Sequence, residues 1–467
     1  MLDVFDDDRP INRRRILSIG SLALGGLSLP TLLATRAAAG ESKSPLSGKS
    51  VIFLFQQGGP SQLETFDPKT DAPPGIRTMT GTIPTRVPGV RFGDTMSQLA
   101  KRADKFAVVR SYQTNNAGHN IQPIVGPDSQ QANIGVHYAR VAGATQPSTG
   151  MPTNAVLYPA AVSADVPRPQ ARGDLLATGP YGAGYAPFTP GGRGQLLQDM
   201  QLKLPRERFF NDRRKLLQQL DRLNRGFEAS REAGVVGNLR EQAYTLLLGG
   251  GVVKALDLSN EDAKTRARYD TSGFAKKGRW DKVNRGKRGY YTACAGSIGK
   301  LLLLARRLCE AGCGFVTVHA GYAGVWDMHA DGNNLNMIDG MQAVGRSFDH
   351  AVAAFIDDLE ARGLQETILL VASGEMGRTP RINKRGGRDH WSKLAPLLLY
   401  GGGVKGGRVI GKSTRDGGEP ATDNLTPRHL IATILRTVFD VGQLRVTSGV
   451  PASVTRPASA KPIPGLF

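Results

Sequence analysis

"TILLVASGEMG" (residues 367–377) is an apolar run that passes without a polar break into a glycine turn carrying one carboxylate, Glu375. Consecutive apolar positions bury both faces of a strand, the habit of a central strand in a sheet covered on both sides. The same texture recurs in "KSVIFLFQ" (49–56), "KFAVVRS" (105–111), "NAVLYPA" (154–160), "GFVTVHA" (314–320) and "APLLLYGG" (395–402). Helical periodicity lies between them. Leu335, Ile338, Met341, Val344, Phe348, Val352, Phe355 and Leu359 predict one long amphipathic helix, and Leu216, Leu217, Leu220, Leu223 and Phe227 predict another. Residues 298–308 hold four consecutive leucines, which implies a nearly all-buried helix. Thr426-Pro427 supplies an N-cap and a first-turn proline for a last helix. Strands alternating with helices in this way make an α/β chain.

The 467 residues are 40% hydrophobic, enough for one large core, and 58 glycines with 28 prolines imply many turns and loops. A formal charge of +20 favours polyanionic partners without choosing among them. Asn12-Arg13-Arg14-Arg15 precedes an apolar stretch rich in glycine and serine, then Ala37-Ala38-Ala39. This reads as a twin-arginine signal peptide over residues 1–39, with export to the periplasm or cell envelope and no permanent membrane span. The three cysteines, Cys294, Cys309 and Cys313, make no disulfide framework and read as buried thiols. The tract 264–288 interleaves Lys and Arg with Tyr269, Phe274 and Trp280. It reads as a solvated insert, or as a glycan-binding face; nucleic acid suits an exported protein less well.

In an open α/β sheet, ligands bind beyond the carboxyl ends of the strands. After residues 314–320 come Asp327 and His329; after 367–373 comes Glu375; Asp389 and His390 precede the strand at 395. After 49–56 come Ser61, Glu64, Thr65 and Asp67, and after 105–111 come Thr114, Asn116 and His119. Of seven histidines, His119, His319, His329 and His390 fall in these loops or at a strand end. Such an oxygen and nitrogen set suits a divalent metal such as zinc or manganese. Arg378, Arg381, Lys384, Arg385 and Arg388 surround Glu375 and His390 and can steer an anion. The alternative for the same residues is a salt-bridged loop.

The stretches "GGPSQLETFDPK", "GPYGAGYAPF", "LLARRLCEAGCGFVTV", "WDMH", "GEMGRTPRIN", "GRDHW" and "GGGVKGGRVIG" together resemble the DUF1501 family of the alkaline phosphatase/sulfatase-like superfamily. The resemblance covers nearly all of the chain beyond residue 39. It implies a three-layer α/β/α sandwich with a mostly parallel central sheet, in one domain (40–467) with a helical, basic insert at about 195–295. It also implies metal ligation by Asp327, His329, Glu375 and His390, with Asp67 or Glu64 as a substitute ligand. Thr114, or a metal-bound water, becomes the nucleophile candidate, with Asn116 and His119 beside Thr114, and Arg378 or Arg388 the anion binder. Two departures stand out. Gln56 and Gln57 follow the first strand, where the superfamily has an Asp, and the Cys/Ser-x-Pro-x-Arg sulfatase motif is missing. The expectation is an exported metal-dependent hydrolase acting on phosphate or sulfate esters, of small molecules or anionic polysaccharides. Its rival is a non-catalytic envelope-associated binding protein that keeps the fold.

Overall fold

The computed structural model describes residues 44–191 and 251–467, together with the backbone of residues 5–6 and 9–10, which pair as a short antiparallel ribbon. The apolar stretch of the leader and the stripe at 216–227 lie outside the described residues. Pro45–Phe467 packs as one unit.

Seven strands form its central sheet: β1 Ser50–Phe55, β2 Ala107–Val109, β3 Asn154–Leu157, β4 Phe315–His319, β5 Ile368–Ser373, β6 Leu397–Gly401 and β7 Arg408–Ile410. Their spatial order is β7-β2-β6-β5-β1-β4-β3. β1 runs parallel to both its neighbours, in register Phe55 with His319 and with Ser373. Only β6 runs against the others, antiparallel to β5 and β2. Six of these strands are the apolar runs of the sequence. β7 is a three-residue edge strand with an exposed arginine, too short to announce itself.

Alternation along β1 splits the core in two. Ile52 and Leu54 join one cluster, and Val51, Phe53 and Phe55 join the other. The first cluster takes in helices Arg288–Glu310 and Arg346–Arg362. The second takes in α1, Ile134–Ala142, and the late helix Pro427–Val438. In chain order the remaining three are α2, α3 and α4. Helices therefore cover both faces, which is why the strands read as unbroken apolar runs and why the fold is a three-layer α/β/α sandwich. Leu301 to Leu304 of α2 are all buried. Thr426 and Pro427 open α4 as expected, and the Thr426 amide donates to His429 Nδ1 at 3.2 Å. Cys294, Cys309 and Cys313 are buried free thiols.

The long helix expected from Leu335 to Leu359 is present from Met337 to Arg362, with one π-helical turn, Met341–Gly345, ahead of α3. The aromatics of the basic tract do not form an open binding face. Tyr269 is fully buried and donates to Asp358 Oδ2 at 2.9 Å, and Trp280 stacks on Tyr291 of α2 at 5.7 Å. These rings pin the tract to α2 and α3, while Lys264, Lys276 and Lys277 stay exposed. Among the described residues no helix is long and apolar enough to cross a membrane.

Candidate metal centre

The parallel strands β1, β4 and β5 lie side by side, so the turns that follow them meet. Gly58 comes after β1, Asp327 after β4 and Glu375 after β5. Because β6 is reversed, the segment that enters it reaches the same end of the sheet. That segment contains a two-residue ribbon in which Arg378 faces His390. Gly58 has φ +111°, and a Cβ there would lie 2.7 Å from the Trp326 nitrogen and 2.8 Å from that of Asp327. Only glycine allows this approach. At Gly387 a Cβ would fall 2.5 Å from the His329 backbone, so "GRDHW" also needs its glycine.

Asp327 is the hub. Its Oδ2 lies 3.0 Å from His119 Nε2 and 3.0 Å from His329 Nε2. Its Oδ1 lies 3.0 Å from His390 Nε2 and accepts from Arg378 Nη2 at 2.7 Å. Asn334 Nδ2 donates to Oδ2 at 3.3 Å, and Tyr291 steadies Asn334 with a 3.1 Å hydrogen bond. Ligand atoms of His119, Asp327 and His390 all fall within 4.8 Å of one another, a set that can hold a metal ion. The side chains of His390 and His329 keep 31% and 21% exposure against 7% for Asp327, so the cluster opens to solvent on the side of these two rings.

The outer nitrogens decide which way the rings present themselves. His390 Nδ1 lies 2.9 Å from the Ala117 carbonyl, which only accepts, so Nδ1 carries a proton, and Nε2, 3.0 Å from Asp327 Oδ1, either carries a second proton or gives its lone pair to a cation. His119 Nδ1 lies 3.0 Å from Glu375 Oε1, which also accepts from the Gly58 amide at 2.9 Å. This is the carboxylate–histidine arrangement that orients metal ligands. Burial opposes charge on His119, yet its bonds to Asp327 and Glu375 push it up to about 9. Burial also works against the Asp327 carboxylate, but hydrogen bonds from His119, His329 and His390 hold it well below the usual carboxylate range. Glu375 is raised by its complete burial. His119 and His390 each stand between two acceptors, so the cluster calls for positive charge, as bound protons or as a cation. The donor set, one carboxylate with two or three imidazoles, fits a borderline divalent metal.

Asp327, His329 and His390 thus meet as expected, and His119 joins them although its expected place was beside the nucleophile. Glu375, expected as a ligand, sits behind His119 and grips the Gly58 amide. Asp67 is elsewhere, 3.2 Å from Lys69 and 3.5 Å from Arg110. Thr114 is buried with its hydroxyl 3.4 Å from the Asn116 amide, and Asn116 reaches the Glu375 carbonyl at 3.4 Å.

Arg378 and Arg388, expected to bind substrate anions, are fully buried. Arg378 donates to the Gly58, Gly59, Trp326 and Arg388 carbonyls as well as to Asp327. Arg388 pairs with Glu64 at 2.9 Å and donates to the carbonyls of Ile76, Arg77, Thr379 and Pro380. Both hold the loops together. At the end of β4, His319 Nε2 meets Gln57 Oε1 at 2.9 Å, and burial pushes His319 down to about 3. Gln57 thus occupies the end of β1 with a neutral pair. Asn334, Gly58 and the Gln57–His319 pair had no sharp signal in the sequence beyond the polar "DGNN" that follows "WDMH" and the doubled glycine of "QGGP".

The sequence matches the model of a family described as a protein of unknown function, DUF1501, over residues 48–464. No curated protein matches it. Among solved structures, Ps i-CgsB is similar at 10% identity and a TM-score of 0.34, over 85% of this chain and 73% of that one. PsFucS1 sulfatase from Pseudoalteromonas sp. gives 11% and 0.32, over 86% and 69%. Alkaline phosphatase from the Antarctic bacterium TAB5 gives 11% and 0.24, over 77% and 92%. Scores this low carry no conclusion about chemistry.

Proposed function

The chain belongs to the DUF1501 family, and on that footing we propose that it is an exported hydrolase of phosphate or sulfate esters whose Asp327 centre works with a divalent metal. One observation supports this above the rest: the Nε2 atoms of His119, His329 and His390 converge on Asp327, with two of the rings locked through Nδ1. His119, Asp327 and His390 would hold the ion, with His329 beside them. A divalent cation held there supplies Lewis acidity toward an ester oxygen. Glu375 and the Ala117 carbonyl keep the ligand nitrogens aimed, and Arg378 anchors Asp327 from its buried side. Thr114 is buried and engaged with Asn116, so water is the nucleophile in this reading. Arg172 is exposed, and its backbone is hydrogen-bonded to the Gln57 side chain; it replaces Arg378 and Arg388 as a rim cation for the substrate anion. The leader read from Arg13-Arg14 would deliver the folded protein across the inner membrane; replacing both arginines by lysine should hold it in the cytoplasm.

The test is metal content by mass spectrometry, with turnover of aryl phosphate and aryl sulfate, on the wild type and on Asp327→Asn and His390→Ala. The expected result is bound metal and turnover in the wild type and neither in the variants. Turnover that survives complete chelation overturns the proposal.

A second reading, a metal-free binding protein, is favoured by the charge balance. Arg378 and a protonated His119 already neutralise Asp327 and Glu375. It expects no bound metal and a stability that chelators leave unchanged.

A further inference from the structure

Asp67, placed away from the Asp327 centre, lines a separate open cleft of about 490 Å³. Its walls carry Lys69, Arg91, Arg110 and Arg415 against the two carboxylates of Asp67 and Asp71. Four cations against two anions leave it positive. Asp67 is buried and occupied by Lys69 at 3.2 Å, Arg110 at 3.5 Å and the Ser413 hydroxyl. Arg110 is further fastened to the Phe66 carbonyl at 2.9 Å, so this floor is rigid. Arg415 is exposed and, among the described residues, makes no hydrogen bond or ion pair, so its guanidinium is available to a ligand.

The cleft is joined to the Asp327 centre by one loop. Gln62 Nε2 donates to the Gly417 carbonyl at 3.1 Å and to the Arg378 carbonyl at 2.8 Å, while the Arg378 amide returns a bond to Gln62 Oε1 at 3.0 Å. Trp391, next to His390, donates to the Gly418 carbonyl at 2.6 Å. The segment that presents Arg415 to the cleft is thus tied to Arg378 and to the ribbon that carries His390. A ligand long enough to fill the cleft lies along the same end of the sheet as the metal centre.

We propose that this cleft is a subsite for a further anionic group of an acidic polysaccharide, a proposal that rests on the ester-hydrolase reading of the Asp327 centre for its role as a subsite, though not for binding itself. The lining favours this class of ligand. Arginines and a lysine suit sulfate or carboxylate groups. Asp71 and Thr70 suit sugar hydroxyls. No aromatic side chain lines the cleft, so it offers no platform for stacked bases.

The probe is a size-fractionated dextran sulfate oligosaccharide, its affinity measured by calorimetry on the full chain at fixed ionic strength. Arg415→Ala should weaken it on the order of five- to tenfold, as the loss of one charge-assisted contact at an exposed site. Lys276→Ala/Lys277→Ala, which removes twice the charge from the exposed insert, should leave it unchanged. Equal weakening in both variants, or none in Arg415→Ala, overturns the subsite. Oligothymidylate that competes for the cleft with the same dependence on Arg415 overturns the choice of polysaccharide. His390→Ala separates the two proposals: it should lose metal and keep dextran sulfate binding. If the wild type shows no ester turnover while Arg415-dependent binding persists, the hydrolase reading fails and the cleft stands as a binding site.

Discussion

His119 Nδ1 stands 3.0 Å from the buried Glu375 carboxylate, and that contact turns its Nε2 toward Asp327. Glu375→Gln keeps an acceptor for the ring but removes the charge behind it. Metal affinity should fall about 10- to 100-fold, the usual effect of losing a partner behind a ligand. Competition against a chelating dye measures it. An unchanged affinity would show that Glu375 does not act through His119.

His390 contributes little to the core, since nearly a third of its side chain is exposed. His390→Ala should therefore abolish metal retention while the thermal midpoint without added metal moves by only a degree or two, the response to a fraction of a kcal/mol in a chain of this size. Mass spectrometry and a melting curve on one sample separate these effects.

Arg388 and Glu64 pair with both side chains fully buried. Removing one partner leaves an uncompensated charge, so Arg388→Ala should cost about 3–5 kcal/mol. The double variant with Glu64→Ala should cost less than the sum of the two single changes. Urea unfolding of the four proteins gives the coupling, and simple additivity would refute it.

His137 sets a pH dependence away from the site. Burial pushes it down to about 4, and its Nε2 lies 2.9 Å from the Ser129 carbonyl, its Nδ1 2.9 Å from the Tyr181 hydroxyl. The carbonyl accepts from Nε2–H, and the hydroxyl donates to Nδ1, so the ring is neutral in the fold. The unfolded chain takes up a proton near pH 6.5. The stability from the neutral ring is complete above that pH and drains away as pH falls toward 4, by on the order of 3 kcal/mol. His319 adds a loss of the same sign. Unfolding free energy measured from pH 7.5 to 4.5 should slope less in His137→Gln than in the wild type.

The strands were legible because burial on both faces removes polar residues from them, and that leaves a mark at every position from Ile368 to Ala372. The edge strand Arg408–Ile410 left no such mark. Asp327, His329 and His390 were legible as residue types at strand ends. Their partners were not, because spacing along a chain does not say which ring nitrogen faces inward or which carboxylate stands behind. For that reason the ligand place expected of Glu375 falls to His119, and Glu375 stands behind it. Arg378 and Arg388 looked like anion binders because sequence does not distinguish a guanidinium open to solvent from one saturated by carbonyls. The π-helical turn at Met341–Gly345 left no mark either, since a wider turn shifts the register without changing residue types, and Ile338 ahead of it is exposed rather than on the buried stripe.

The reversal of β6 has a consequence for the order of assembly. His390 enters the centre on the segment that leads into this strand, whereas Asp327 and Glu375 leave parallel strands already paired with β1. Leu397 lies opposite Ser373, a short step back along the chain from β5, so the cluster is complete only once Leu397–Gly401 has docked on that strand. Capture of an ion would then serve as a completion signal for folding. On the export route proposed above, loading the metal before crossing would amount to an inspection of the docking of one backward strand.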